Sequence, residues 1–352
     1  MGLFFILTLY ILLLAAIFKK QKKIFLFCTF SLFFALSALR SVNIGNDTSD
    51  YKLLFENLKF MPVENFTWRF ETGYLYFNKF IQIFFENSQS LFVISAFIVC
   101  LGYAMLINKF SKIVWLSVYL FFTLRYFDLS MNILRQSLAM VILFLGFYIL
   151  IKEKNILYFI ILVFLASLFH NTAIVFLVVA ILKKIKNEKR YIAFLSLITL
   201  VGLFSFNTIF SFVLRFFPTY SYYLNSSYMD GNTRVATILN ILVNLVILLF
   251  VYICKFEKNK VNNLMFHMLM FGISITVISL RFSLLDRVSD FFTVYSIILI
   301  PNALSFTKQT KNIKLFLIYI ILICFFIYYL VIIIYRPDWN RVYPYEFFWN
   351  SQ

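Results

Sequence analysis

Charge is scarce in this sequence. Only 13% of its 352 residues are Asp, Glu, Lys or Arg, where a soluble domain carries roughly a quarter, so a soluble globular chain is excluded. Cysteine is equally sparse: Cys28, Cys100, Cys254 and Cys324 all fall in apolar runs, which argues against a disulfide framework and a zinc site. No basic segment precedes the first apolar run and no small-residue cleavage site follows it, so residues 3–18 read as a retained span. A glycine-rich phosphate loop, a nucleophile elbow, a CxxC pair and a metal motif are all missing, so nothing supports metal or nucleotide chemistry and no cofactor is expected.

What the chain has instead is apolar length. It is 62% hydrophobic with a mean hydropathy of +0.89, and runs long enough to span a bilayer recur to the C-terminus. Such runs must satisfy their backbone internally as helices. The expectation is an all-α, polytopic integral membrane protein: one membrane domain over 1–352, with about 11–12 transmembrane segments, some short or re-entrant. The net charge of +17 invites a nucleic-acid reading, but its distribution speaks for membrane orientation and no nucleic-acid partner.

Basic loops occur at 19–23, 108–112, 151–154, 183–190, 255–260 and 308–314. Placing all six in the cytoplasm puts both termini outside, with outer segments 40–90, 125–131, 215–234, 281–288 and the tail 336–352. Residues 155–182 are too few for two full spans, so they should form a pair of short helices or a re-entrant hairpin turning near His170. This arrangement sorts the two cations. All lysines except Lys52, Lys59 and Lys79 fall in the cytoplasmic loops, while every arginine except Arg190 falls outside. Arginine suits planar, bidentate binding of phosphate or carboxylate. Counting up the helices puts Arg135 roughly 25 Å above Lys152 and His170 roughly 20 Å above Lys183. Arg281 and Arg287 come out at roughly 30 Å, the outer rim of the core. A cavity open to the outside follows from that clustering.

Five stretches carry the polar residues. "NIGNDTSDYKLLFENL" offers Gly45, Asp47 and Asp50 at a helix start, with Asp47 or Thr48 as N-cap, or a carboxylate for sugar hydroxyls or base catalysis. "WRFETGYLYFNKF" places Glu71 and Tyr74 before an amphipathic stretch. "RYFDLSMNILRQSLA" sets Arg135 and Gln136 in a lipid-facing helix, with Arg125, Asp128 and Asn132 on the same stripe at helical spacing. "SLFHNTA" carries His170, one of only two histidines; the other, His267, reads as structural. "RFSLLDRVSDFF" holds Arg281, Asp286, Arg287 and Asp290, close enough in sequence for a local ion-pair cluster. The tail, rich in Trp and Tyr, reads first as an interface anchor and second as a sugar-stacking surface.

Taken in order, these pieces resemble the EpsG family of Wzy-type polysaccharide polymerases. The matching residues are Gly45, Asp47, Tyr51 and Phe55; Glu71, Gly73 and Tyr74; Asn132, Arg135, Gln136 and Ala139; Phe169, His170 and Ala173; and Arg287 with Pro301, over about residues 40–305. The resemblance implies a glycosyltransferase in the bacterial cytoplasmic membrane. Its substrate would be a polyprenyl-pyrophosphate-linked oligosaccharide, passed to the non-reducing end of a lipid-linked repeat unit on the outer face. On that reading Arg135, Arg287 and Arg281 meet the pyrophosphate, whose developing charge they stabilise. His170, Glu71 and Asp47 are candidates for base or acceptor positioning, and Asn132, Gln136, Tyr51 and Tyr74 complete the substrate surface. Membrane lipid, a chain-length regulator and a flippase are the expected partners. The competing readings are a lipid-linked oligosaccharide flippase and a membrane O-acyltransferase using His170.

Overall fold

The computed structural model describes residues 2–18, 20–215, 235–254 and 259–350. Most of the loop expected at 215–234, Arg234 included, lies outside them, as do Lys19 and residues 255–258. The chain is all-α. In order its helices are α1 Gly2–Ile17, α2 Lys22–Ala38, α3 Thr48–Asn57, α4 Thr72–Phe84, α5 Gln89–Phe110, α6 Val114–Thr123, α7 Tyr126–Asn132, α8 Leu134–Ile151 and α9 Ile156–Ser167. There follow α10 Val178–Leu182, α11 Glu188–Phe204, α12 Phe206–Leu214, α13 Val235–Ile253, α14 Lys260–Ile278, α15 Leu285–Thr293, α16 Ser296–Phe306 and α17 Lys311–Tyr335.

Among the described residues six helices, counting α15 and α16 as one, are long and apolar enough to cross a membrane. The pair α11 and α12 is apolar enough together but bent by 82°, a broken span or a re-entrant loop, and α1, α6, α9 and residues 171–182 are apolar but shorter. The multi-pass membrane fold expected from composition is therefore present. Residues 155–182 form short helical pieces as their length requires: α9 ends at Ser167 and a 3-10 segment, Asn171–Leu177, leads into α10.

The chain divides into two compact units, residues 1–174 with 308–352, and residues 175–307. In the first, α2 packs on α5, α5 on α8 and α8 on α9. Its core is aromatic: Phe4 stacks on Tyr329 with centroids 4.6 Å apart, Phe33 meets Phe127 at 4.6 Å, and Phe122 meets Tyr329 at 5.0 Å. Such pairs add about 0.5–1.5 kcal/mol beyond their area burial, which matters where lipid offers no hydrophobic drive for helix association. In the second unit α14 is central, packing on α10, α11, α13, α15 and α16. There Asn302 donates to Asn262 at 2.9 Å, an interhelical bond of the kind that joins membrane helices. His267 is buried, its Nδ1 3.3 Å from the Leu182 carbonyl oxygen and its own carbonyl accepting from the Tyr191 hydroxyl at 2.9 Å.

The sequence pattern predicts one helical stripe through positions 125, 128, 132 and 135; the backbone interrupts it. Ile133 leaves the helical region at φ −99°, ψ 68°, separating α7 from α8, and Arg125 enters α7 at φ 68°. Residues 125–132 therefore face different partners from Arg135.

Candidate functional site

Three segments of the first unit bring Glu71, Arg135 and His170 together. Glu71 is the N-cap residue of α4. The first turn of α4 lies against the end of α9: a Cβ on Gly73 would stand 2.7 Å from both the Cβ and the carbonyl oxygen of Leu168. That carbonyl accepts the Tyr74 N–H at 3.2 Å. Only glycine permits this approach, and it sets Glu71 beneath the turn that carries His170. The break at Ile133 starts α8 one residue later and puts Arg135 in its first turn.

Arg135 donates through Nη1 to the Glu71 carboxylate, and to the Arg69 carbonyl at 3.4 Å. His170 Nδ1 lies 3.3 Å from the other Glu71 oxygen, which also accepts the Asn171 backbone N–H at 3.2 Å. The side chains are 8% exposed for Glu71, 17% for His170 and 20% for Arg135, a buried carboxylate flanked by two partly open partners. The Arg135 guanidinium also lies over the Phe70 ring, 5.0 Å from its centroid, and the Tyr51 hydroxyl is within its hydrogen-bonding reach. Tyr51 and Tyr74 are buried and meet edge to face at 5.7 Å.

Electrostatics explain the group. Burial works to raise the Glu71 carboxyl, but the hydrogen bond from His170 and the charge of Arg135 outweigh it and hold it down at about 2. Glu71 is thus an anion at neutral pH. Arg135 stands at the N-terminal end of α8, where the helix dipole disfavours a cation; Glu71 offsets that cost, and a bound anion would do the same.

The other predicted site residues go elsewhere or remain beside this group. Gln136 is buried next to Arg135 in α8. Asp47 occupies the N-cap position of α3 without a capping hydrogen bond, and among the described residues its carboxylate makes no ion pair. Asp50 pairs instead with Arg69. Asn132 accepts the Asn46 N–H at 2.8 Å and donates to Asn340 at 3.1 Å, so it fastens the first loop and the tail. Arg125, not Arg135, satisfies Asp128: Nε lies 3.3 Å from the carboxylate, which also accepts the Tyr329 hydroxyl at 2.7–2.8 Å. In the second unit Arg281 follows α14 and donates to the Leu203 carbonyl at 2.9 Å, while Arg287 lies in the first turn of α15. There Asp286 accepts hydroxyl hydrogen bonds from Ser279 at 2.7 Å and Thr237 at 3.1 Å. Among the described residues no three of His, Cys, Asp and Glu gather as a metal site.

Two contributors escaped the sequence reading. Phe70 was hidden as one aromatic among many, though it stands between Arg69 and Glu71. Arg40 is 0% exposed and joins two helix ends, donating to the Ser37 carbonyl near the close of α2 and to the Met131 carbonyl of α7 at 3.3 Å, with Phe92 beneath it at 4.6 Å. Those carbonyls are among the last of their helices, which lack intrahelical donors.

The tail pairs with the first loop. It runs antiparallel to residues 39–46, with Gly45 N–H to the Arg341 carbonyl at 3.0 Å, Ser41 N–H to that of Glu346 at 2.9 Å, and Phe348 N–H to that of Leu39 at 2.9 Å. Gly45 makes the turn at φ 87°, and a Cβ there would meet Thr48 Oγ1 at 2.7 Å and the Met131 carbonyl at 3.0 Å.

Comparison with known proteins adds one match. The model of the EpsG family aligns with residues 23–347, nearly the whole chain. No curated protein and no solved structure matches it. The match takes in every residue of the Glu71–Arg135–His170 group as well as the loop and nearly all of the tail paired with it. With its multi-pass helical architecture, the chain belongs to the EpsG family, whose role is polymerase-like and lies in polysaccharide biosynthesis at the membrane.

Proposed function

We propose that the protein is a polysaccharide polymerase, a glycosyltransferase that moves a growing glycan from polyprenyl pyrophosphate onto the non-reducing end of a lipid-linked repeat unit. The reaction takes place at the outer face of the bacterial cytoplasmic membrane, in a cavity open to that side, with both chain termini outside. The observation that supports this reading most directly is the Glu71 carboxylate held between Arg135 and His170 Nδ1.

In this mechanism Glu71, ionised and already engaged, is a poor base. It orients the imidazole, and with Nδ1 turned toward the carboxylate, Nε2 is the nitrogen that accepts the proton of the acceptor hydroxyl. The hydroxyl oxygen bonds to the anomeric carbon as the bond from that carbon to the pyrophosphate oxygen breaks. The negative charge left on the lipid pyrophosphate falls to Arg135. Preorganised donors of this kind supply about 3–4 kcal/mol of transition-state stabilisation each. Pyrophosphate departs without a proton, so no general acid is needed. A chain-length regulator and a flippase are the proposed partners.

The test is deletion of the gene in its host, with complementation by wild type and by Arg135→Ala, reading the length distribution of the surface polysaccharide. Loss of long chains while single repeat units still reach the surface, restored by wild type alone, is the expected result. Failure of single units to appear outside would make the protein a flippase instead. Normal lengths with missing acyl groups would make it an acyltransferase.

A further inference from the structure

Three consecutive residues grip Arg135. Arg69 gives its carbonyl, at 3.4 Å, Phe70 its ring, at 5.0 Å, and Glu71 its carboxylate. The turn that carries them is fixed, because the N–H groups of Arg69 and Phe70 both donate to the Phe66 carbonyl, at 3.1 and 2.9 Å. The side chain of Arg69 is not spent on Arg135. It lies over the same Phe70 ring, 5.4 Å from the centroid, and pairs with Asp50. The two guanidinium carbons are therefore no farther apart than their two distances to that ring taken together. Both groups also meet the first turn of α3, at consecutive residues: Arg69 at Asp50 and Arg135 at Tyr51.

From this arrangement we infer that Arg69 is a second anion-binding residue of the site. It takes one phosphate of the lipid pyrophosphate while Arg135 takes the other, and Asp50 holds it until the substrate arrives. The inference rests on the polymerase reading and names a ligand that the reading leaves out. A pyrophosphate spreads more than one negative charge over two phosphates, whereas Arg135 already faces the Glu71 anion and has committed donors to it and to the Arg69 carbonyl. One guanidinium so engaged cannot serve both phosphates. Two can. With charge-assisted hydrogen bonds of about 2.8 Å at each end, a pyrophosphate bridges guanidinium carbons on the order of 10 Å apart or nearer.

Burial decides which ion pair opens. The side chains of Arg69 and Asp50 are 50% and 42% exposed, those of Arg135 and Glu71 20% and 8%. A solvent-exposed ion pair contributes little to stability, so a phosphate displaces Asp50 at small cost and the freed carboxylate returns to water. Opening the inner pair would strand the buried Glu71 anion. Arg135 and Glu71 therefore stay together, and Arg69 exchanges Asp50 for the substrate. A pair that only braced α3 would behave otherwise, since loss of either partner would then have the same effect.

The experiment uses the full chain in nanodiscs of phosphatidylcholine. The probes are inorganic pyrophosphate and, separately, inorganic phosphate, with affinity read by calorimetry. Wild type should bind pyrophosphate more tightly than phosphate. Arg69→Ala should weaken pyrophosphate about tenfold or more and phosphate by less than about threefold, with Arg69→Lys between it and wild type. Asp50→Asn, which frees Arg69, should tighten pyrophosphate by about twofold or more. Opposite signs across one ion pair are the signature of exchange. No binding of pyrophosphate to wild type overturns the inference. So does equal affinity in wild type and Arg69→Ala, as would follow if Arg69 served only the phosphates of the surrounding lipid. Weakening by Arg69→Ala and Asp50→Asn alike also overturns it and makes the pair structural. In cells, Arg69→Ala at wild-type abundance should lose long chains. If deletion of the gene leaves all chain lengths normal, the polymerase reading itself fails. If deletion abolishes long chains and Arg69→Ala keeps them, only the role of Arg69 fails.

Discussion

A carboxylate oxygen of Glu71 stands 3.3 Å from Nδ1 of His170, and its twin accepts from the Arg135 guanidinium. One buried anion thereby holds a permanent cation and a titratable ring, each delivered by a different segment of the chain. Removing any one of the three leaves the other two mismatched, and the consequences differ in ways that can be measured.

Glu71 makes stability depend on acid. Its folded pKa is depressed, to about 2 from the 4.5 of an unperturbed carboxyl. Its contribution is therefore complete above the unfolded value and is lost as pH falls through the folded one, on the order of 3 kcal/mol in all. Thermal unfolding in detergent should show wild type losing stability between about pH 4.5 and pH 2, while Glu71→Gln lacks that loss. Parallel curves would mean that Glu71 titrates as an ordinary carboxyl.

Arg135→Lys keeps the charge and loses the planar fork. A lysine can meet Glu71 but cannot also present donors in fixed geometry to a phosphate. Transfer with purified protein and lipid-linked repeat units should fall by about 10²–10³-fold, with protein abundance near normal. A lysine variant that polymerises at more than a tenth of the wild-type rate would remove Arg135 from the chemistry and leave it a structural partner of Glu71.

Gly73→Ala should act at a distance from any charged atom. Its new methyl meets the Leu168 carbonyl and Cβ, neither of which can rotate away, so α4 must shift relative to the His170 turn. Overpacking of this type costs about 1–3 kcal/mol. The variant should unfold at lower temperature and also lose transfer, whereas Gly146→Ala, whose nearest neighbour would be 3.5 Å away, should retain both.

Arg40→Ala should destabilise without touching the reaction. It removes the donors to the Ser37 and Met131 carbonyls and opens a void over Phe92, together about 3 kcal/mol. Limited proteolysis of the detergent-solubilised protein should cut the Arg40 variant faster than wild type, with Arg40→Lys intermediate because one ammonium cannot span both helix ends in the same geometry. Equal proteolysis rates would show that the two carbonyls find other donors.

Class and membrane character were legible in composition alone, because a chain with so little charge and so many long apolar runs can satisfy its backbone only as helices in lipid. Glu71, Arg135 and His170 were legible too, since a polar residue stands out in an apolar run. Their partnership was not. Helical spacing put Arg125, Asp128, Asn132 and Arg135 on one stripe, but periodicity holds only while the helix continues, and Ile133 interrupts it. Arg125 took Asp128, and Arg135 was left to find its carboxylate on another segment. Asn132 bonds the loop at Asn46 and the tail at Asn340, contacts that helical spacing does not reveal. The tail's aromatics pointed to a membrane interface, and the hydrogen bonds that strap it to residues 39–46 are backbone bonds that side-chain identity cannot foretell. What the amino-acid order determined was which groups must avoid lipid; which of them meet was decided by helix breaks and by one glycine's close approach, because both set contacts between segments that are neighbours only in space.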